Sequence, residues 1–224
     1  MFQGFTDETF EFFLGIKLNN NREWFEAHRG DYERFVRGPM LALIESVNPV
    51  LREMDPELDT RPNRVLSRIH RDTRFSKDKS PYRDYLWFVY RHAEEGLSET
   101  CGVYFDISAT HAHWGCGFYH LQRGVMDRLR ALCLHTPSRV LEVMDTPAFK
   151  ARFSLEGEAY KRMSVPEAVP EALRTLYVKK SLYAEHALSD WSLLYKPELA
   201  QVLSEDFRLL IPLYRLLREC CASA

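Results

Sequence analysis

The apolar residues of this chain keep a helical period over residues 1–60 and then switch to a period of two, and that change restricts the fold more than any composition value. Thr6 is placed to cap a helix with Asp7 and Glu8 in its first turn and Phe10, Phe13, Leu14 and Leu18 on one face. Asn19, Asn20 and Asn21 end it. A second helix starting near Arg22 carries Trp24, Phe25, His28, Tyr32 and Phe35 at spacings of three and four. Gly38 and Pro39 separate it from a third helix bearing Met40, Leu43, Ile44, Val47 and Leu51. Pro39 suits the first turn of that helix, and Pro49 predicts a bend or an early end. From Arg64 onward, Val65, Ser67 and Ile69 face one way and Arg64, Leu66, Arg68 and His70 the other, which is the pattern of a strand.

Further strands are expected at Tyr85 to Tyr90, rich enough in aromatic and branched residues to be buried on both faces, at Cys101 to Ser108, and in HWGCGFYHL after a short turn at Ala109 to Ala112. Connections this short favour antiparallel pairing over crossovers. Helices return from about Gln122, after Pro137 and after Pro147; Lys180 to Leu188 reads as one further strand, and a long helix from Pro197 with a kink near Pro212 closes the chain. The expected fold is α+β: a mainly antiparallel sheet of four to six strands flanked by N-terminal and C-terminal helices. At 224 residues, 46% of them hydrophobic, the chain reads as a single domain over 1–224, with a helical layer 1–60, a central sheet about 64–120 and a helical part 122–224. No internal repeat or flexible linker interrupts it.

Charge is concentrated in one place. Residues 61–83, RPNRVLSRIHRDTRFSKDKSPYR, hold eight basic residues against Asp72 and Asp78, a net +6, while the remaining 22 basic and 30 acidic residues carry −8. Gathering like charges raises the electrostatic energy of a folded chain, and an anionic ligand or the chain's own carboxylates normally offset it. Arg68, Arg71, Arg74, Lys77 and Lys79 are therefore candidate ligands for a phosphate or carboxylate, with Tyr82 a neighbouring hydroxyl. The competing interpretation is an internal salt-bridge set. An overall charge of −2 argues against broad coating of nucleic acid and leaves local binding as an alternative.

Other constellations carry less. His111, His113, Cys116 and His120 hold a His-x-His pair without a nearby carboxylate, so no metal centre is assigned. Asp106 is placed to face Arg68 across the sheet, as an arginine partner or a general base; Asp72 is the other candidate base. His28 and His186 lie among apolar residues and read as hydrogen-bonded packing groups. Walker, dinucleotide, nucleophile-elbow and HExxH motifs do not occur, and no cofactor is implied. Five cysteines without ribbon or redox spacing suggest reduced thiols. With no long apolar run and no leader-like start, the expectation is a soluble cytoplasmic protein without a membrane partner.

Several blocks resemble the family called domain of unknown function 2461: the start GFTDETFEFFLGIKLNNNREWFEAHRGDYE, the central RIHRDTRFSKDKSPYR, a GVYFDIS strand followed by GCGFY, and a late PLYRLL. The family pattern falls on Asn20, Trp24, Phe25, Arg68, Arg71, Asp72, Arg74, Phe75, Lys79, Pro81, Tyr82, Gly117 and Tyr119. At the hairpin, ATHAHWG replaces the Gly-rich turn of the family, so His111 and His113 stand outside the pattern. The resemblance implies a family but no activity, substrate or cofactor. Three functional classes remain: a protein binding a small phosphate- or carboxylate-bearing ligand, a nucleic-acid binding module, and a structural or partner-binding protein whose basic cluster is paired internally.

Overall fold

The computed structural model describes residues 1–74, 76–96, 100–118, 120 and 123–222. Phe75 and Tyr119 of the family pattern lie outside these residues. The helices are α1 (Asp7–Leu18), α2 (Arg22–Ala27), α3 (Arg29–Asp31), α4 (Gly38–Met54), α5 (Pro62–Val65), α6 (Arg123–His135), α7 (Pro137–Met144), α8 (Pro147–Arg152), α9 (Glu171–Tyr177) and α10 (Leu199–Ala222). The strands β1 (Tyr85–Tyr90), β2 (Cys101–Ser108), β3 (Ala112–Phe118), β4 (Ser154–Glu156) and β5 (Tyr183–Ala187) form one five-stranded antiparallel sheet in the order β1-β2-β3-β5-β4. The fold is α+β, as the change of period predicts. The chain divides into two compact units, one of Met1–Tyr90, Tyr104–His113 and Ala187–Ser204, the other of Arg91–Val103, Trp114–His186 and Glu205–Ala224.

In the first unit, Phe88 stacks on Phe105 at 5.4 Å and Phe105 on Phe5 at 6.4 Å, while the Tyr90 hydroxyl donates to the Ile44 carbonyl at 2.9 Å and lies 2.8 Å from Asn48 Oδ1. Each such buried aromatic ring removes enough apolar surface to contribute about 2–3 kcal/mol. Only one face of β1 is fully buried, contrary to the expectation of two: Leu86, Phe88 and Tyr90 point inward and Tyr85 is exposed.

The N-terminal helices also depart from the period. Gly38 and Pro39 do not separate two helices; α3 continues through a π-helical turn, Tyr32–Arg37, into α4. Proline has no N–H, so it leaves the carbonyl four residues before it, that of Phe35, without a helical donor. The Thr9 hydroxyl of α1 donates to that carbonyl at 2.6 Å and itself accepts the Thr6 N–H at 3.2 Å, and Gly38 N–H reaches back to Glu33 O, five residues away. A π turn is thus held by a hydroxyl from a different helix.

The regular strand expected over Arg64 to His70 does not form. Arg64 and Val65 end α5, and isolated antiparallel bridges, Leu66 with Phe88 and His70 with Tyr82, together with a Ser67 N–H to Trp87 O hydrogen bond at 2.8 Å, tie the segment to β1 and its approach. Four residues separate Leu66 from His70 whereas six separate Tyr82 from Phe88, so the two sides cannot keep a continuous register. The alternation survives in burial: Val65 and Ile69 are buried, Arg68 and His70 exposed.

In the second unit, Trp114 Nε1 donates to Asp206 Oδ2 at 2.7 Å, Arg152 Nε donates to both Asp206 oxygens at 2.7 and 2.8 Å, and His186 Nδ1 lies 2.8 Å from the Arg152 carbonyl. At Gly117 a Cβ would sit 2.4 Å from the Leu182 carbonyl oxygen, so the strand approaches its neighbour where only glycine fits. His186, like His28 with its Nδ1 2.8 Å from the Trp24 carbonyl, is a hydrogen-bonded packing group, as its apolar context implies.

Candidate functional site

Asn20 organises the basic segment. Its side-chain amide donates to Tyr82 O at 2.9 Å and accepts Tyr82 N–H at 3.0 Å, substituting for a neighbouring strand. The Tyr82 ring then stacks on Phe25 at 4.2 Å and meets His70 at 5.0 Å. Arg71 N–H donates to Pro81 O and Arg83 N–H to Ile69 O, both at 2.9 Å, closing the base of the loop between them. Asn20, Phe25 and Tyr82 of the family pattern thus hold this segment in place, with Tyr82 buried.

Beside this scaffold lies a cavity of about 230 Å³, lined in part by Arg29, Tyr32, Arg37, Arg68 and His70. Arg29 and Arg37 come from the helical layer, Arg68 and His70 from the irregular segment. The π turn matters here, because residues five apart diverge on an α-helix but come round to a similar side in a π turn, so Tyr32 and Arg37 both line the cavity. Arg37 donates to Glu33 at 3.1 Å and to Asn63 Oδ1 at 2.6 Å; Arg29 donates to Glu26 at 2.7 and 3.0 Å. Arg68 has no carboxylate partner among the described residues and is exposed. Three arginines against Glu33 leave the lining at +2 before His70 is counted.

The other members of the predicted cluster lie outside this lining. Arg71 pairs with Asp78, whose carboxyl is also held low by hydrogen bonds from Ser80. Arg74 forks onto Asp72 with contacts of 2.6, 3.0 and 3.2 Å, and its donated hydrogen bonds push the Asp72 carboxyl down to about 2. A carboxylate of that acidity is a weak base. Lys79 Nζ donates to Thr73 O at 2.8 Å, and exposed Lys77 has no hydrogen-bond partner among the described residues. The basic segment is thus part self-paired loop, part cavity wall.

Asp106 does not meet Arg68; its Oδ2 lies 2.7 Å from His111 Nε2, and His111 Nδ1 lies 2.8 Å from Ser108 Oγ. The order Ser–His–Asp resembles a nucleophile relay, but Ser108 Oγ also accepts the N–H groups of Thr110 at 3.0 Å and His111 at 3.1 Å. With two backbone N–H groups donating to its oxygen, that hydroxyl is built into the turn as a cap. The arrangement staples the hairpin turn that sets this sequence apart from the family pattern. His111 and His113 stack ring on ring at 5.0 Å, and Cys116 is a buried free thiol with its Sγ 3.9 Å from that of Cys101.

The model of the conserved hypothetical protein family DUF2461 matches residues 8–216. The chain belongs to DUF2461. No curated protein matches it. The matched span of DUF2461 includes every residue of the cavity and of the Asn20–Tyr82 clamp. Among the described residues, no helix is long and apolar enough to cross a membrane.

Sequence reasoning identified Arg68 and missed Arg29, Tyr32 and Arg37 as its neighbours. Tyr32 and Phe35 fitted a helical face, which hid the π turn; the signal available was Pro39 itself, whose missing N–H implies an unusual turn just before it.

Proposed function

We propose that this DUF2461 protein binds a small phosphate- or carboxylate-bearing ligand in the Arg68 cavity. One observation carries the reading: Arg68, alone among the cavity's arginines, has an uncommitted guanidinium, and it opens into a space walled by Arg29 and Arg37. An unpaired guanidinium beside two further positive groups is electrostatically unfavourable unless an anion joins them. Lys77 and Lys79, on the loop outside the lining, add attraction at longer range. The five free thiols fit a reducing compartment such as the cytoplasm. Asp72 and Asp106 are both committed to partners, which supports binding rather than acid–base chemistry at those residues.

A low-salt thermal-shift comparison of wild type and Arg68→Ala tests the reading. A ligand at a hundred times its dissociation constant adds about 2.7 kcal/mol, worth roughly 5–10 °C in a chain of this size. Shifts with phosphate or dicarboxylate compounds in wild type that vanish in Arg68→Ala support it. The absence of any shift sinks it.

A second reading, binding of single-stranded nucleic acid, is favoured by the outer face of β1. Tyr85, 36% exposed, stacks on Trp87 at 5.5 Å, and the Arg83 guanidinium lies 4.7 Å from the Trp87 ring centre. It predicts a log–log salt slope of about −0.7 per phosphate neutralised, against a shallow dependence for a small ligand.

A further inference from the structure

We infer that the cavity's ligand class is a small phosphate monoester, and that Tyr32 is the residue that distinguishes it from a carboxylate. The inference rests on the anion-site reading above and adds the ligand's chemistry. Tyr32 is only 6% exposed and lines the cavity, yet its hydroxyl has no hydrogen-bond partner among the described residues. That hydroxyl is open to the cavity and free to donate to a bound group. Burial pushes this phenol up to about 12, so at neutral pH it keeps its proton and offers an O–H.

Counting donors separates the two kinds of anion. A carboxylate presents two oxygens in one plane, and the Arg68 fork can engage both at once. The cavity offers more than that. Beyond Arg68 it holds the Tyr32 hydroxyl and the hydroxyl of Ser67, which accepts Trp87 N–H at 3.1 Å and has its own hydrogen unused. A phosphate monoester has three terminal oxygens, matching this surplus of donors. A carboxylate held by the fork has no third oxygen to offer Tyr32. The volume of about 230 Å³ is below the roughly 300–1,000 Å³ of pockets for drug-sized ligands, so the phosphoryl group carries only a short organic part. Phe25, Leu66 and Ile69 supply the apolar wall it rests against.

The π turn places Tyr32 for this role. In an α-helical register the side chains of Tyr32 and Arg37 diverge; the Thr9 hydrogen bond to the Phe35 carbonyl supports the register that aims both at one space.

The test is titration calorimetry at low salt with inorganic phosphate, glycerol phosphate and succinate, on wild type, Tyr32→Phe, Arg68→Ala and Arg68→Lys. Because the Tyr32 hydroxyl has no partner in the chain, Tyr32→Phe keeps its melting temperature without ligand. The expected result is phosphate binding tighter than succinate binding, weakened about tenfold or more by Tyr32→Phe and lost in Arg68→Ala. Arg68→Lys, which keeps the charge and removes the fork, gives an intermediate loss. Succinate binding equal to or tighter than phosphate, or a phosphate affinity that Tyr32→Phe changes by less than about twofold, overturns the phosphate assignment and leaves the anion site standing. Wild type that binds none of the three probes overturns both.

Discussion

Arg130, in the second unit, has every edge of its guanidinium occupied: Nε donates to Tyr177 O at 2.8 Å, Nη1 to Asp127 at 2.6 Å and Nη2 to Lys179 O at 2.5 Å, with the Tyr160 ring 5.5 Å away. Arg68, in the first unit, is exposed and donates to no carboxylate among the described residues. The same side chain is used in one region to close off backbone carbonyls and in the other to remain available. Arginine content alone does not separate these uses; the state of the N–H groups does. The loop between Arg71 and Lys79 is a third case, in which half-buried Arg71 and exposed Arg74 are neutralised by the nearby Asp78 and Asp72.

The contrast can be broken by mutation. Arg130→Ala leaves two carbonyls and a buried space uncompensated and should cost roughly 3–5 kcal/mol in urea or guanidinium unfolding; a loss under about 1 kcal/mol would remove Arg130 from the structural class. Thr9→Val orphans the Phe35 carbonyl, for which about 1–3 kcal/mol is expected by the same measurement, together with weaker ligand binding as the π turn relaxes. Arg68→Ala should change stability by no more than about 0.5 kcal/mol, as for other exposed sites, while abolishing the ligand-induced thermal shift. A large stability loss there would place Arg68 with Arg130.

The smallest effect belongs to the Asp72–Arg74 pair. Its folded-state value is depressed from 3.8 to about 2, so any stabilisation it gives is complete above the unfolded carboxyl's range and disappears as pH falls from about 4 to about 2. Side-chain carboxyl NMR should show the low midpoint in wild type and a return toward 3.8 in Arg74→Ala, with ligand binding unaffected. At full exposure the pair is screened by salt and its contribution to folding is small.

Much of the architecture could be read from residue periodicity. The strand from Cys101 to Ser108 matches β2 at both ends, and α1 and α6 start within a residue of their signals. The errors have physical origins. Val65, Ser67 and Ile69 alternate correctly in burial, but whether a paired ladder forms depends on the partner's length, and the extra residues between Tyr82 and Phe88 prevent it. Pro39 was visible as a helix-start residue; its effect on Phe35 depends on Thr9, a residue brought close only by the packing of α1. Short elements such as β4 and α9 hold too few residues to show a period. At the site, Arg68 stood out by charge, whereas its association with Arg29 and Arg37 is tertiary, and the pairing of Asp106 with His111 instead of Arg68 follows from a tight hairpin.

The Asn20 clamp has a consequence for how such chains can diverge. Two bonds to the backbone of one residue fix both the place and the direction of the chain at Tyr82, and the Arg71–Pro81 and Ile69–Arg83 hydrogen bonds seal the neck of the loop. The described residues between Asp72 and Ser80 then lie outside that neck. Doubling such a loop costs only about 0.6 kcal/mol in closure entropy. Insertions and deletions there should leave the cavity's walls where they are, so the loop can change length while the cavity is inherited intact.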